Sequence, residues 1–101
     1  MIEDLAVKLS SGFQKVWRLS DAETIKVLNP KDLLLKDRIK NLIEIRYLLD
    51  GLFRSEDTEN RWLREPTNSL GDRTPMEMIQ SGSMESLIDV RDWVFHISGL
   101  L

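Results

Sequence analysis

The chain has 101 residues, 42% hydrophobic and 31% charged, with no cysteine, a size and balance that suit one domain with its own core and exclude disulfides and thiolate metal sites. The formal charge of −3 is uneven: residues 1–50 carry nine Lys/Arg against eight Asp/Glu, and residues 51–101 carry five Arg against nine Asp/Glu. The C-terminal half therefore has the wrong sign for a phosphate backbone; it either complements a cationic protein cleft or belongs to one more small acidic domain. No apolar run is long enough to span a membrane, and Met1-Ile2-Glu3-Asp4 is acidic where a secretory leader is basic, so a cytoplasmic location is expected.

Apolar residues at 2, 5, 6, 9, 13, 16 and 17 predict a helix weakened at Ser10-Ser11-Gly12. Ser20-Asp21-Ala22-Glu23 is a capping box opening a short helix that Asn29-Pro30 ends. The longest helix is expected from Leu35 to Phe53. Its polar stripe is Asp37, Lys40, Asn41 and Glu44, and its mainly apolar remainder suits a central helix packed on more than one side. Gly51 inside it costs up to ~1 kcal/mol against alanine, which close packing would explain. Arg46 and Asp50, one turn apart on the apolar side, are either an i,i+4 ion pair at the core edge or a pair facing a partner chain. Small symmetric dimers are the commonest oligomers, so a homodimer is one expected partner state.

Ser55 or Thr58 can start the next helix, which ends at Trp62-Leu63 before Pro66. Asn68 suits the cap of a short turn, and Gly71 can supply the positive φ that leaves it. Thr74-Pro75-Met76-Glu77 is a second capping box with proline at N1. Ser83 caps a last helix, with Leu87, Val90, Val94 and Ile97 along one face. It closes near Ser98, so that Gly99, Leu100 and Leu101 either project or fold back on Trp93 or Ile97. No segment alternates with period two. The fold class expected is all-α: about six helices, divided as residues 1–35 and 36–101.

Enzymatic residues are not apparent. His96 is the single histidine, far from any other set of ligands, so no metal and no cofactor are expected. The carboxylates fall mostly on solvent faces or helix N-termini. There is no Gly-rich phosphate loop and no nucleophile elbow. Trp17, Trp62 and Trp93 each occupy apolar helical positions and are read as core.

From Arg38 to the end the chain resembles the toxin-binding domain of the Xre/MbcA/ParS antitoxins. Arg38-Ile39-Lys40-Asn41-Leu42 through Leu52-Phe53 looks like the family's long central helix. Arg61-Trp62-Leu63, Pro66, Asn68 and Leu70-Gly71 look like its Trp-Leu, Pro, Asn and Leu-Gly-Gly turn. Thr74-Pro75 to Ile79, with Glu77, looks like the capped helix that follows. Asp72 departs from the second glycine. In the N-terminal third, Trp17 to Leu28 looks like the first helix of a helix-turn-helix, but Asn29–Leu35 leads straight into the central helix and leaves a reduced unit with no recognition helix.

The resemblance implies an antitoxin of a bacterial type II toxin–antitoxin pair. Its partner would be a protein toxin of the RES, NAD-degrading class, neutralised by occlusion of the toxin's active site, and such antitoxins often assemble in pairs. The toxin-binding residues implied are Asn68, Arg73, His96, Gly99, Leu100 and Leu101, the terminal carboxylate suiting a cationic cleft. Trp62, Leu63, Pro66, Leu70, Gly71, Thr74, Pro75 and Glu77 would be structural. The alternatives are a DNA-binding repressor of its own operon and an adaptor for some other protein.

Overall fold

The computed structural model describes residues 12–99, which form six helices and no strand. Helix α1 is described over residues 12–16; the expected helix start and the Ser10-Ser11 weak point lie outside the described residues. Then follow α2 (Asp21–Leu28), α3 (Leu35–Leu52), α4 (Glu56–Leu63), a 3-10 turn (Asn68–Leu70), α5 (Pro75–Gln80) and α6 (Met84–Gly99).

The boundaries are set by local chemistry. At α2 both arms of the capping box form: Glu23 N donates to Ser20 Oγ at 3.1 Å, and Ser20 N donates to Glu23 Oε1 at 2.9 Å. That backbone donor, together with Gln80, holds the Glu23 carboxyl below its usual value. Asn29 ends α2 in the left-handed region, at φ 44°, a conformation its short polar side chain tolerates. Residues 30–34 then connect directly to α3. Of the two starts considered for α4, Ser55 is the cap, accepting from Thr58 N at 3.2 Å.

One hydrophobic cluster runs through all six helices: Phe13 and Trp17 from α1 and its end, Val27 and Leu28 from α2, Leu42, Ile45 and Leu49 from α3, Leu63 from α4, Met76, Met78 and Ile79 from α5, and Leu87, Val90 and Val94 from α6. Helices α3 and α6 form its spine and run parallel. Asn41, near the start of α3, meets Met84 and Arg91, while Leu52 at its end shares a cleft with Ser98.

Two polar networks hold this assembly together. Arg38 is fully buried and has no carboxylate partner among the described residues. Its Nε donates to the Val27 carbonyl at 2.7 Å and one Nη to the Ile79 carbonyl at 2.6 Å. Both carbonyls lie in the last turn of a helix, where no intrahelical donor remains and a cation complements the helix dipole. One side chain thus closes the C-terminal ends of α2 and α5 against α3. The second network joins α4 to α1. Asn60 Nδ2 donates to the Val16 carbonyl at 2.8 Å, Arg64 to the Trp17 carbonyl at 2.7 Å, and Trp17 Nε1 to Glu59 Oε2 at 2.6 Å. Arg46 Nη1 reaches Glu59 Oε1 at 3.2 Å.

Several sequence expectations change here. The carboxylates were expected mostly on solvent faces or at helix N-termini, but Glu59, in the first turn of α4, is only 2% exposed, because the Trp17 indole needs an acceptor inside the core. Asn41 is buried rather than part of a solvent stripe, accepting from Arg91. The central helix meets both α2 and α6, yet Ile43 is 43% and Tyr47 77% exposed. Gly51 has no neighbour within 4 Å of the position a Cβ would take, so close packing among the described residues does not explain it. Trp17 is core, whereas Trp62 and Trp93 are only half-buried.

Two measurements follow. Arg38→Ala strands two helix-end carbonyls and empties a buried site, and is expected to cost about 3 kcal/mol or more in chemical denaturation. The second concerns pH. Burial raises the Glu59 carboxyl above its ordinary value, against the lowering effects of Trp17 and Arg46. The folded state therefore keeps this proton at pH values where the unfolded chain has lost it, and the stability linked to Glu59 falls as pH rises through that window. Glu59→Gln should gain on the natural chain in unfolding free energy as pH goes from about 4 to 7; a constant difference would contradict the assignment.

Candidate functional site

Between α4 and α5 the chain makes a closed loop. Arg64 caps α4, Pro66 follows, and Thr67 and Arg73 pair as an isolated antiparallel bridge, Thr67 N donating to Arg73 O at 3.2 Å. The Thr67 carbonyl accepts from both Leu70 N at 3.1 Å and Asp72 N at 3.0 Å, which winds the 3-10 turn tightly around it. Gly71 leaves the turn at φ 71° and Asp72 follows at φ 61°, so both residues of the glycine-pair position are left-handed. Aspartate takes that region more readily than most side chains, which is how the loop closes with a single glycine.

Thr74 then starts α5, accepting from Glu77 N at 3.0 Å with Pro75 in its first turn. Only this arm of the second capping box forms; the carboxylate of Glu77 is exposed and makes no return bond. Asn68 does not cap the turn either. The cap position is Thr67, without a side-chain bond, and Asn68 is its exposed first residue.

Leu70 anchors the loop in the core, and Trp62, tilted against Phe53 with ring centroids 5.9 Å apart, packs on its edge with Leu63 beneath. The loop lies against α6, and between them is a groove whose walls are Gly71 and Arg73 on one side and Asp89, Asp92, Trp93 and His96 on the other. The four α6 positions recur at helical spacing and so share one face. His96 stacks on Trp93, with centroids 5.5 Å apart and rings inclined by 22°. Asp92 Oδ1 accepts two bonds from Arg91, at 2.9 and 3.3 Å, and Arg91 is held in turn by Asn41 at 2.8 Å. Arg73 Nε donates to the Leu70 carbonyl at 3.3 Å. The Trp93 indole nitrogen is buried with no acceptor among the described residues.

The structure thus brings Arg73 and His96, distant in sequence, to opposite walls of one groove. Asn68 sits outside that groove on the same turn. Gly99 is the exposed last residue of α6, helical and with nothing within 4 Å of where a Cβ would stand; it is not a point of close approach among the described residues. Leu100 and Leu101 lie outside the described residues. Asp89, Asp92 and Trp93 were missed as groove residues, although their i, i+3, i+4 spacing with His96 was visible. The Arg46–Asp50 ion pair forms, at 3.5 Å, but Arg46 is shared with Glu59. Among the described residues no three His, Asp or Glu side chains are grouped as a metal site, and no helix is long and apolar enough to cross a membrane.

The matched family is the antitoxin Xre/MbcA/ParS C-terminal toxin-binding domain, over residues 48–97. Residues 48–97 match that domain's family model, and the match begins inside α3 rather than at Arg38. It takes in α4, the loop, α5 and almost all of α6, and therefore both walls of the groove. No curated protein and no solved structure matches the chain.

The loop geometry makes a paired prediction. Gly71→Ala forces a Cβ into the left-handed region and should cost about 1 kcal/mol, whereas Asp72→Gly relieves one there and should be neutral or stabilising by a similar amount. Thermal melting of the two variants checks the sign of each.

Proposed function

We propose that this protein is the antitoxin of a bacterial type II toxin–antitoxin pair and neutralises a RES-class, NAD-degrading toxin by binding it and occluding its active site. The observation that carries the reading is the family match over residues 48–97, which includes both walls of the groove between the Thr67–Arg73 loop and α6. In this reading the inhibitory surface comprises Asn68 and Arg73 from the loop, His96 from α6, and Gly99, Leu100 and Leu101 at the C-terminal end.

Charge supports the choice of target. A cleft that takes a dinucleotide pyrophosphate is cationic, and Asp89 and Asp92 place carboxylates on the face of α6 that carries His96. The cytoplasm is the compartment in which such a toxin finds its substrate. A repressor reading finds less support, because α2 passes to α3 through residues 29–34 with no helix between them to enter a major groove.

Co-expression with the toxin encoded beside it should restore growth and yield a complex that co-purifies. Reversing the acidic face with Asp89→Lys and Asp92→Lys together should weaken inhibition at least about tenfold with helicity unchanged, equivalent to ~1.4 kcal/mol of binding. Removing Gly99–Leu101 should do the same without lowering the melting temperature. A toxin that stays lethal beside the intact protein, with no complex, overturns the reading.

A further inference from the structure

Trp93 carries an indole nitrogen that is shut off from solvent and has no acceptor among the described residues. The contrast with Trp17 is direct, since that indole, also buried, donates to Glu59 Oε2 at 2.6 Å. An indole N–H ordinarily finds a partner once water is excluded from it, and a state that leaves it unmet is raised in free energy. Trp93 stands half-buried at the edge of the core, on the α6 wall of the groove, with His96 stacked on its ring. The charges lining that groove are left open as well. Arg73 on the loop wall reaches only the Leu70 carbonyl, and Asp89 on the α6 wall forms no ion pair among the described residues. The two do not close on each other across the gap.

We propose that Trp93 is the residue by which the groove holds its partner: in the complex its indole N–H donates to a main-chain carbonyl on a basic segment of the toxin, and the cationic side chain of that segment pairs with Asp89. This inference rests on the antitoxin reading and names the chemistry the partner presents to the groove.

The surroundings select that acceptor. A carboxylate brought to Trp93 would stand beside Asp89 and Asp92, which share its face of α6, and like charges so close repel. A carbonyl is neutral, and a lysine or arginine on the same segment adds the charge the groove attracts. Asp92 already accepts two bonds from Arg91, so the carboxylate left for that cation is Asp89. Solvent does not touch the Trp93 nitrogen in the free chain, so the indole must turn at its side-chain torsions, out of the stack with His96, to reach the carbonyl. The new bond adds to affinity because none is broken to make it, and only the difference between free and bound states counts. A tryptophan that joins a large apolar surface to one directional donor is the kind of side chain on which binding energy concentrates.

The test uses the full chain, labelled with nitrogen-15, and the unlabelled toxin encoded beside it. The Trp93 indole N–H signal, assigned through its own backbone resonances, should move downfield on complex formation as a newly bonded indole does, while that of Trp17 stays in place. Trp93→Phe keeps an aromatic ring and removes the donor, and should weaken the complex about tenfold or more with helicity unchanged. Asp89→Asn should weaken it about threefold or more. A Trp93 signal that stays still in a formed complex overturns the proposal, and that reading of the natural chain stands even where the phenylalanine variant folds poorly. A folded Trp93→Phe chain that binds as tightly as the natural one overturns it too. Tighter binding by Asp89→Asn overturns the basic segment in favour of a carboxylate acceptor. In each of these cases the antitoxin reading survives, whereas a natural chain that forms no complex at all overturns both.

Discussion

A single buried cation organises the fold. Arg38 has no carboxylate partner among the described residues, and its bonds go to carbonyls at the ends of α2 and α5. A helix end enclosed in a core strands acceptors that water would otherwise satisfy, and each costs about 1–3 kcal/mol if left unmet. With one guanidinium between them, two short helices can end inside the protein at the same place. Burial lowers the pKa of that guanidinium, yet an arginine keeps its charge under such pressure where a lysine can lose it.

The position of α5 depends on this arrangement, and with it the loop that leads into it. Its start is fixed by Thr74 and Pro75, and its end by Arg38 and by Gln80, which reaches Glu23 at 3.3 Å. The loop is therefore strung between a capped helix start and the Leu70 anchor, and its outer edge has little freedom against α6. A rigid loop facing one side of a long helix suits recognition of a protein surface, since little ordering entropy remains to be lost on binding. At α4, Glu59, Asn60 and Arg64 hold the end of α1 by the Val16 and Trp17 carbonyls and the Trp17 indole. The family segment thus carries the polar groups that fasten the chain preceding it.

The features legible in the sequence were those decided within a few residues. Ser20 with Glu23, Thr74 with Pro75, and Gly71 marked their turns because capping and left-handed backbone are local chemistry. The all-α class and the long central helix followed from periodicity. Arg38 and Glu59 were not legible, because their roles depend on groups 11, 41 and 42 residues away, and a lone Arg or Glu in a helix looks the same whether it ends in solvent or in a core. The exposure of Ile43 and Tyr47 was not legible either, since periodicity reports an apolar position without saying whether anything covers it. At the groove, Arg73 and His96 were named only as what the family resemblance implies, while Asp89 and Asp92 passed as ordinary helix-surface acids until the loop was placed beside them.

The most direct measurement of the central claim is amide hydrogen exchange of this protein alone and in complex with its toxin. Slowed exchange concentrated in residues 67–73 and 89–99, with α2 and the connection to α3 unchanged, is the result expected if the loop and α6 form the inhibitory surface. Protection confined to the opposite side of the molecule, with the loop and α6 exchanging as in the free protein, would contradict it.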